Sequence, residues 1–550
     1  IMDRNQMLFE QMPFIDIERS KFNIDWKHLS TMNSGKLVPF FVDMDGLPGE
    51  TIKIKTSLLA RMQTPIYPVM DNAYIDTYYF AIPYRLVWKH WKEFNGENKN
   101  SAWYQPTEYM IPMFKTDTDH TVQVNSINDY MGIPTGVAGI EFSQLPVRAY
   151  ILTWNEWFRD QNLTAPLQDY TDDSDRTIDG TAVTGGTCCD VYKFHDYFTS
   201  ALPDAQKSAS PVSMPLGTTA PVIGNGNGMM LTQGTGDYAL ASFNNIGFWA
   251  SNTTTATPIG TTTAINNDQG IQNLKITGLS TDANKSGLIA DLTSATAATI
   301  NALRLAFATQ RILEKDARGG TRYTEILSNH FGVKSPDGRQ QRPEYLGGAV
   351  RVPINMQQVV QTSETTANSP LAETGAYSAT ANEDESFTYS MTEHTIILGL
   401  CCIRTNHTYQ NGLAKQWSRK RRLDFYWPSL AHIGEQPILN KEIYADGSST
   451  DDEVFGYQEA WAEYRHMPNR ISGEMRSSYA QSLDAWHYGD DFTSLPVLST
   501  DFLIETPTNI DRTLAVQSEL QNQFLVDFYL EIEKYVPMPV RSIPGLVDHF

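Results

Sequence analysis

Segments with strand character are few in this chain and lie far apart, and that spacing limits the fold more than any other feature. KLVPFFV (36–42) runs into a turn at Leu47-Pro48-Gly49, and TIKIKTSLLARM (51–62) follows with Ile52 and Ile54 on one face and Lys53 and Lys55 on the other. NAYIDTYYFAIP (72–83) is rich in the β-branched and aromatic residues that suit a half-buried pleat. The next candidates come only much later, at VRVPINMQQVVQT (350–362), HTIILGLCCIRT (394–405) and QFLVDFYLEIEKYVPMP (523–539). A fold of this kind must place most of its residues in connections. Sparse strands, aromatic-rich segments and very long links suggest a β-sandwich with large loops, for which the jelly roll is the commonest architecture.

Helices fill some of the gaps. VRAYILTWNEWFRDQN (147–162) spaces Val147, Tyr150, Ile151, Trp154 and Phe158 three or four apart, which predicts an amphipathic helix. TINALRLAFATQRILEKDARGG (299–320), RYTEILSNHFG (322–332) and RLVWKHWKEFNGEN (85–98) show the same habit, each with glycine at or near its end. Residues 203–299 are compositionally foreign: rich in Thr, Ala, Gly and Asn, without Arg or Cys, and low in charge. Too few apolar residues occur there for a large core of their own. The segment reads as a surface insertion, a small β-rich protrusion steadied by copies of itself, within a body formed by 1–202 and 300–550; a disordered linker is the alternative. No repeat of fixed period is present.

The 550 residues are 41% hydrophobic and 11% aromatic, enough for a substantial core, but only 19% charged. So low a charge suits a surface partly covered by neighbouring subunits. The net charge of −21 disfavours whole-surface binding to nucleic acid, which needs Lys and Arg, so contact requires a local basic patch or a basic partner. The four cysteines form two adjacent pairs, Cys188-Cys189 and Cys401-Cys402, a spacing that argues against zinc and fits a reducing compartment. No signal peptide and no run of about 18–20 apolar residues is present, so membrane insertion is not expected. The opening Ile1-Met2 leaves the true N-terminus open, and an arm there is expected.

Several features invite a chemical reading. Trp154-Asn155-Glu156 resembles the Asn-Glu pair of some retaining glycosidases, but a second carboxylate about 5 Å away has no evident source, and a structural helix carboxylate is the plainer reading. GNGNG (224–228) neither follows a strand nor opens a helix, and no Lys-Ser/Thr succeeds it, so a loop tip at Asn225, Gly226 and Asn227 is expected rather than a phosphate cradle. His407, His432, His466 and His487 read as packed histidines, and no Ser-His-Asp arrangement or G-x-S-x-G is readable. Asp451-Asp452-Glu453 is either a solvated charge run or the ligand set of a cation bridging subunits. The run Arg419-Lys420-Arg421-Arg422 follows Trp417 and precedes Phe425, Tyr426 and Trp427; cations among aromatics suit single-stranded nucleic acid, and ion pairs across a subunit interface are the competing use. No catalytic, cofactor-binding or metal-binding residue is assigned, although a carbohydrate-active or lectin-like sandwich remains the alternative class.

Long stretches carry a resemblance. They include MNSGKLVPFFVD (32–43), TPIYPVMDNAYIDTYYFAIPYRLVWKHWKEFNGEN (64–98), LPVRAYILTWNEWFRDQNL (145–163), HDYFTSALP (195–203) and FGVKSPDGRQQRPEYLGG (331–348). LDFYWPSLAHIGEQPILNKEIYA (423–445), DDEVFGYQEAWAEYR (451–465), SGEMRSSYAQSLDAWH (472–487), TNIDRTLAVQS (508–518) and SIPGLVDH (542–549) continue it. Over nearly the whole chain except the insertion, the sequence resembles the major capsid proteins of the Microviridae, of the gokushovirus type. The resemblance implies an eight-stranded antiparallel jelly roll, sixty copies in a T=1 shell assembled in the bacterial cytoplasm, and a circular single-stranded DNA genome inside the virion. It also implies that the insertion forms protrusions at the three-fold axes that meet a host cell-surface receptor, with spike or vertex and scaffolding proteins as further partners. After HDYFTSALP the chain departs from the family at Asp204-Ala205-Gln206-Lys207, and the basic run is denser than the family's. Sixty chains at −21 sum to roughly −1,260, so the shell cannot neutralise its genome and a small basic internal DNA-binding protein is expected.

Overall fold

The computed structural model describes residues 18–98, 107–208, 300–360 and 374–541, together with residue 212 and six short strands between residues 222 and 290. Eight long strands form the body: β1 (Ser20–Met32), β2 (Val38–Gly46), β3 (Thr51–Met62), β4 (Ala73–Pro83), β5 (Val352–Val360), β6 (Thr374–Ser390), β7 (Thr395–Thr405) and β8 (Phe524–Val536). Their hydrogen-bonded order is β1-β8-β3-β6-β5-β4-β7-β2, every pairing antiparallel. Split between β5 and β6, this is two four-stranded sheets with first and last strands adjacent, the winding of a jelly roll. The split lies within a continuous ladder. Val352 to Ile354 of β5 pair with β4, whereas Asn355 to Val360 pair with β6, so β5 turns the corner from one sheet to the other.

Aromatic contacts join the two sheets face to face. Phe40 of β2 stacks on Phe528 of β8 at 4.1 Å between ring centroids, and Tyr79 of β4 meets Phe387 of β6 at 4.8 Å. Tyr79 also bonds across the gap to Thr56 of β3 through its hydroxyl, at 2.5 Å. The outer faces differ. β3 and β8 alternate between buried and more exposed residues, as strands with one open face do. β7 is buried at every position but Arg404. Helix α1 (Leu145–Thr153) packs against β2 and β7, and the Tyr150 hydroxyl in it donates to the Leu37 carbonyl at 2.7 Å. The four cysteines are buried and unbridged, Cys401 and Cys402 within β7.

The long connections have a core of their own, in which Tyr197, Phe198, Tyr409, Phe455 and Phe502 are buried together. Helices α2 (Ile300–Gly319) and α3 (Tyr323–Phe331) stop where expected, at Gly320 and Gly332, both left-handed with φ +85° and +67°.

The chain divides into two compact units, Ile1–Lys207 with Leu313–Phe550, and Ser208–Ile312. In the second unit Val222–Gly224 pairs with Leu288–Ala290, Leu231–Gln233 with Leu274–Ile276, and Gly247–Phe248 with Thr257–Pro258. Each pairing encloses the next, as in one long interrupted hairpin.

Three expectations need correction. The helix expected over 147–162 is neither that long nor amphipathic: α1 begins at Leu145 and is buried nearly all round. After Thr153 it widens into a π-turn over Trp154–Phe158, with the Arg159 N–H donating to the Trp154 carbonyl at 2.8 Å. Instead of one helix over 85–98 there are two single turns, Tyr84–Val87 and Trp91–Phe94, separated because the Lys89 N–H is taken by the Thr171 carbonyl and Trp88 turns fully inward. GNGNG does follow a strand, since Gly224 closes Val222–Gly224; residues 225–228, with the expected tip Asn225, Gly226 and Asn227, lie outside the described residues. β1 and β6 had no counterpart in the sequence reading.

Removing one ring of the inter-sheet stack tests this core. Phe528→Ala is expected to cost about 3–5 kcal/mol, as buried aromatic truncations do. Tyr529→Ala, on the open face beside it, is expected to stay within about 0.5 kcal/mol. Denaturant titration of the two variants checks the contrast.

Candidate nucleic-acid interface

The basic run folds into a tight ledge built from a helical turn at Lys415–Ser418 and 3-10 turns at Arg422–Asp424 and Pro428–Leu430. Asp424 shapes it by accepting the backbone N–H groups of Lys420 at 2.8 Å and Arg421 at 2.7 Å. Those two bonds hold its carboxyl below the usual carboxylate range. The peptide is thereby bent, with Lys420, Arg421 and Arg422 exposed.

The structure separates the four cations. Arg419 is spoken for: it pairs with Glu463 at 3.2 Å and stands over the rings of Tyr464 at 4.4 Å and Phe425 at 5.5 Å. Lys420, Arg421 and Arg422 are exposed, and among the described residues no carboxylate lies in ion-pair contact with them. Arg422 lies over Trp427 at 4.5 Å, and Trp427 Nε1 donates to the Arg422 carbonyl at 3.1 Å. Trp417 is 69% exposed and Phe425 50%, with Tyr426 and Trp427 also open to solvent. Three free cations among four open rings can pair with phosphates and stack bases.

Other singled-out residues serve the fold. Glu156 falls in the π-turn, 4.0 Å from Arg322. Asp451 accepts the N–H groups of Asp446 and Gly447, and Asp452 pairs with Lys441 at 2.5 Å, so the acidic run builds its own turn. Among the described residues no group of His, Cys, Asp and Glu could hold a metal ion. His487 is packed, its Nε2 2.7 Å from the Met475 carbonyl, but His432 and His466 are exposed rather than packed.

His407 is the residue whose weight the sequence understated. It is buried between two carboxylates, Nδ1 2.7 Å from Asp490 and Nε2 2.7 Å from Glu505, with Lys193 3.7 Å from Asp490. Burial lowers the imidazole pKa, but the two carboxylates outweigh it and raise it to about 9. Burial raises that of Asp490, but His407 outweighs it and holds it at about 2. The cluster ties the end of β7 to the loops at 490 and 505. Its partners come from segments about 80 and 100 residues away in sequence, so no local pattern announces it.

The sign of its pH dependence follows. The raised imidazole pKa contributes stability that is complete below about pH 6.5 and is lost as pH climbs through about 9. The depressed Asp490 pKa contributes stability present above about 3.8 and lost as pH falls through about 2. Stability from this cluster is expected to peak between those limits. Unfolding followed from neutral to alkaline pH should show a decline that flattens in His407→Gln; an equal slope in both proteins contradicts the assignment.

The model of the family described as capsid protein (F protein) matches residues 10–546. Capsid protein VP1 of Bdellovibrio phage phiMH2K is 42% identical, over 99% of this chain and 99% of its own length. Capsid protein VP1 of Chlamydia phage 1 is 37% identical, over 98% and 97%, and that of Spiroplasma virus 4 is 38% identical, over 96% of each.

Proposed function

This chain belongs to the capsid protein (F protein) family of the Microviridae, and from that premise we propose that sixty copies close a T=1 shell around a circular single-stranded DNA genome. As a member of that family it is a structural protein of the virion, not an enzyme, and no described helix is long and apolar enough to cross a membrane. The observation that carries the reading is the end-to-end match to capsid proteins of nearly the same length. Exposed apolar side chains on the body support it. Met467 is 92% exposed, Leu520 84%, Met110 78% and Met70 76%, and Leu29 and Leu59 flank Asp527 on the open face of the β1-β8-β3 sheet. Apolar surface of this kind favours burial against neighbouring copies.

Residues 203–299 serve in this reading as a protrusion at the three-fold axis that meets a host receptor. Their low charge and nested short strands support that role, as copies of the segment meeting at one axis would bury what one copy cannot. The ledge contacts the genome through Lys420, Arg421 and Arg422, whose lack of an ion-pair partner among the described residues supports it, and a small basic internal protein supplies the rest of the countercharge. Spike or vertex and scaffolding proteins complete the set of partners.

Electron microscopy of the protein expressed with its phage partners is expected to show closed particles, and a monomeric species only would overturn the reading. Deletion of residues 217–284 should leave a folded body and intact shells while host attachment is lost. Arg421→Ala with Arg422→Ala should lower packaged DNA with shells intact, and reduce the log–log salt slope of oligonucleotide binding by about 1.4. Broken shells with unchanged genome content would assign these arginines to a subunit interface.

A further inference from the structure

A cleft on the body, away from the ledge, has a composition the shell role leaves unexplained. It encloses about 430 Å³, within the range of small-ligand sites. Seven aromatic side chains line it, among them Tyr78 and Phe80 from β4, Trp157 and Phe158 from the π-turn, and Tyr345. The π-turn matters here, because it presents two successive aromatics to β4: Trp157 lies 5.5 Å from Phe80, and Phe158 5.2 Å from Tyr78. Tyr345 closes the set at 5.6 Å from Phe80.

The same cleft is lined by two arginines with one countercharge between them. The Asp76 carboxylate, fully buried, accepts from Nε of Arg404 at 3.1 Å and again from its Nη2. It also accepts the backbone N–H of Arg351. That bond helps hold Arg351 in the left-handed region at φ +60°, unusual for a residue with a side chain. Both guanidiniums stand over the ring of Phe194, at 4.3 Å for Arg351 and 4.1 Å for Arg404. Arg404 spends its charge on Asp76. Arg351 is exposed, and among the described residues its guanidinium has no ion-pair partner. An unneutralised cation is thus fixed, by a strained backbone, beside an aromatic box in a chain of net charge −21.

We propose that this cleft binds a nucleotide, its base stacked on the exposed ring of Tyr345 and its phosphate at Arg351. Rings favour a flat heterocycle and the guanidinium favours a phosphate, and a nucleotide carries both on one small frame. Its source is either the single-stranded genome, in which case the site rests on the shell reading, or a free nucleotide, in which case it does not.

The experiment is calorimetric titration of the full-length protein with dAMP, with inorganic phosphate and with a short thymidylate oligonucleotide. Shell formation is scored on the same preparations, so failure of the site and failure of the capsid reading are told apart. Saturable dAMP binding is expected, with inorganic phosphate a poor competitor. Arg351→Asn, which tolerates the left-handed backbone, and Tyr345→Leu should each weaken binding at least about tenfold. Arg351→Lys should recover part of the loss, while Arg421→Ala with Arg422→Ala leaves dAMP binding unchanged. Displacement of dAMP by the oligonucleotide assigns the site to the genome, and its absence assigns it to free nucleotide. No saturable dAMP binding to protein that forms shells normally, or equal binding in folded Arg351→Asn and Tyr345→Leu, overturns the proposal.

Discussion

The contact on which the rest of the molecule depends is the meeting of the two sheets across Phe40, Phe528, Tyr79 and Phe387. Large connections carry a loop-closure cost that grows only slowly with their length, provided that the ends they join are fixed. The inter-sheet aromatics fix them. β4 and β5 stay in register although the chain between Pro83 and Val352 departs for a helix-bearing excursion and the whole second unit. The loops then return the favour: α1 covers the outer face of β2 and β7, which explains why β7 is buried on both sides and reads as an unbroken apolar run.

How much of this was legible in the sequence follows from where each signal resides. β3 spans Thr51–Met62, the residues its alternation marks, and β4 and β7 differ from the sequence reading only at an end residue, because their pattern is local. β1 also alternates, with Phe22, Ile24, Trp26 and His28 against Lys21, Asn23, Asp25 and Lys27, so its signal is present in the sequence. β6 is different: its Asn382-Glu383-Asp384-Glu385 run contradicts strand propensity, and only pairing with β3 overrides it. The helix after Leu145 differs from its sequence pattern for a related reason, since spacing of apolar residues cannot tell one buried face from burial all round.

The ledge was legible as composition and illegible as geometry. Four cations in a row look alike in sequence, yet Glu463 and Tyr464, about forty residues on, remove Arg419 from the free set. The Arg351–Phe194–Arg404 arrangement had no sequence signal at all, because Asp76, Phe194, Arg351 and Arg404 come from four distant segments. Topology, not motif, assembles it.

Two clusters of buried charge mark one end of the body. Asp76 and Arg404 at one place, and His407 with Asp490 and Glu505 at another, both lie where the last residues of β7 meet incoming loops. Such pairs add little net stability over apolar packing, but leaving one member alone is costly, so misplacing a loop is penalised more sharply than by apolar contact. For a protein that must present the same loops to identical neighbours many times over, that sharpness counts for more than stability. A shell tolerates a soft core better than a loop a few ångströms out of place, and polar groups with fixed directions are what exclude the near misses.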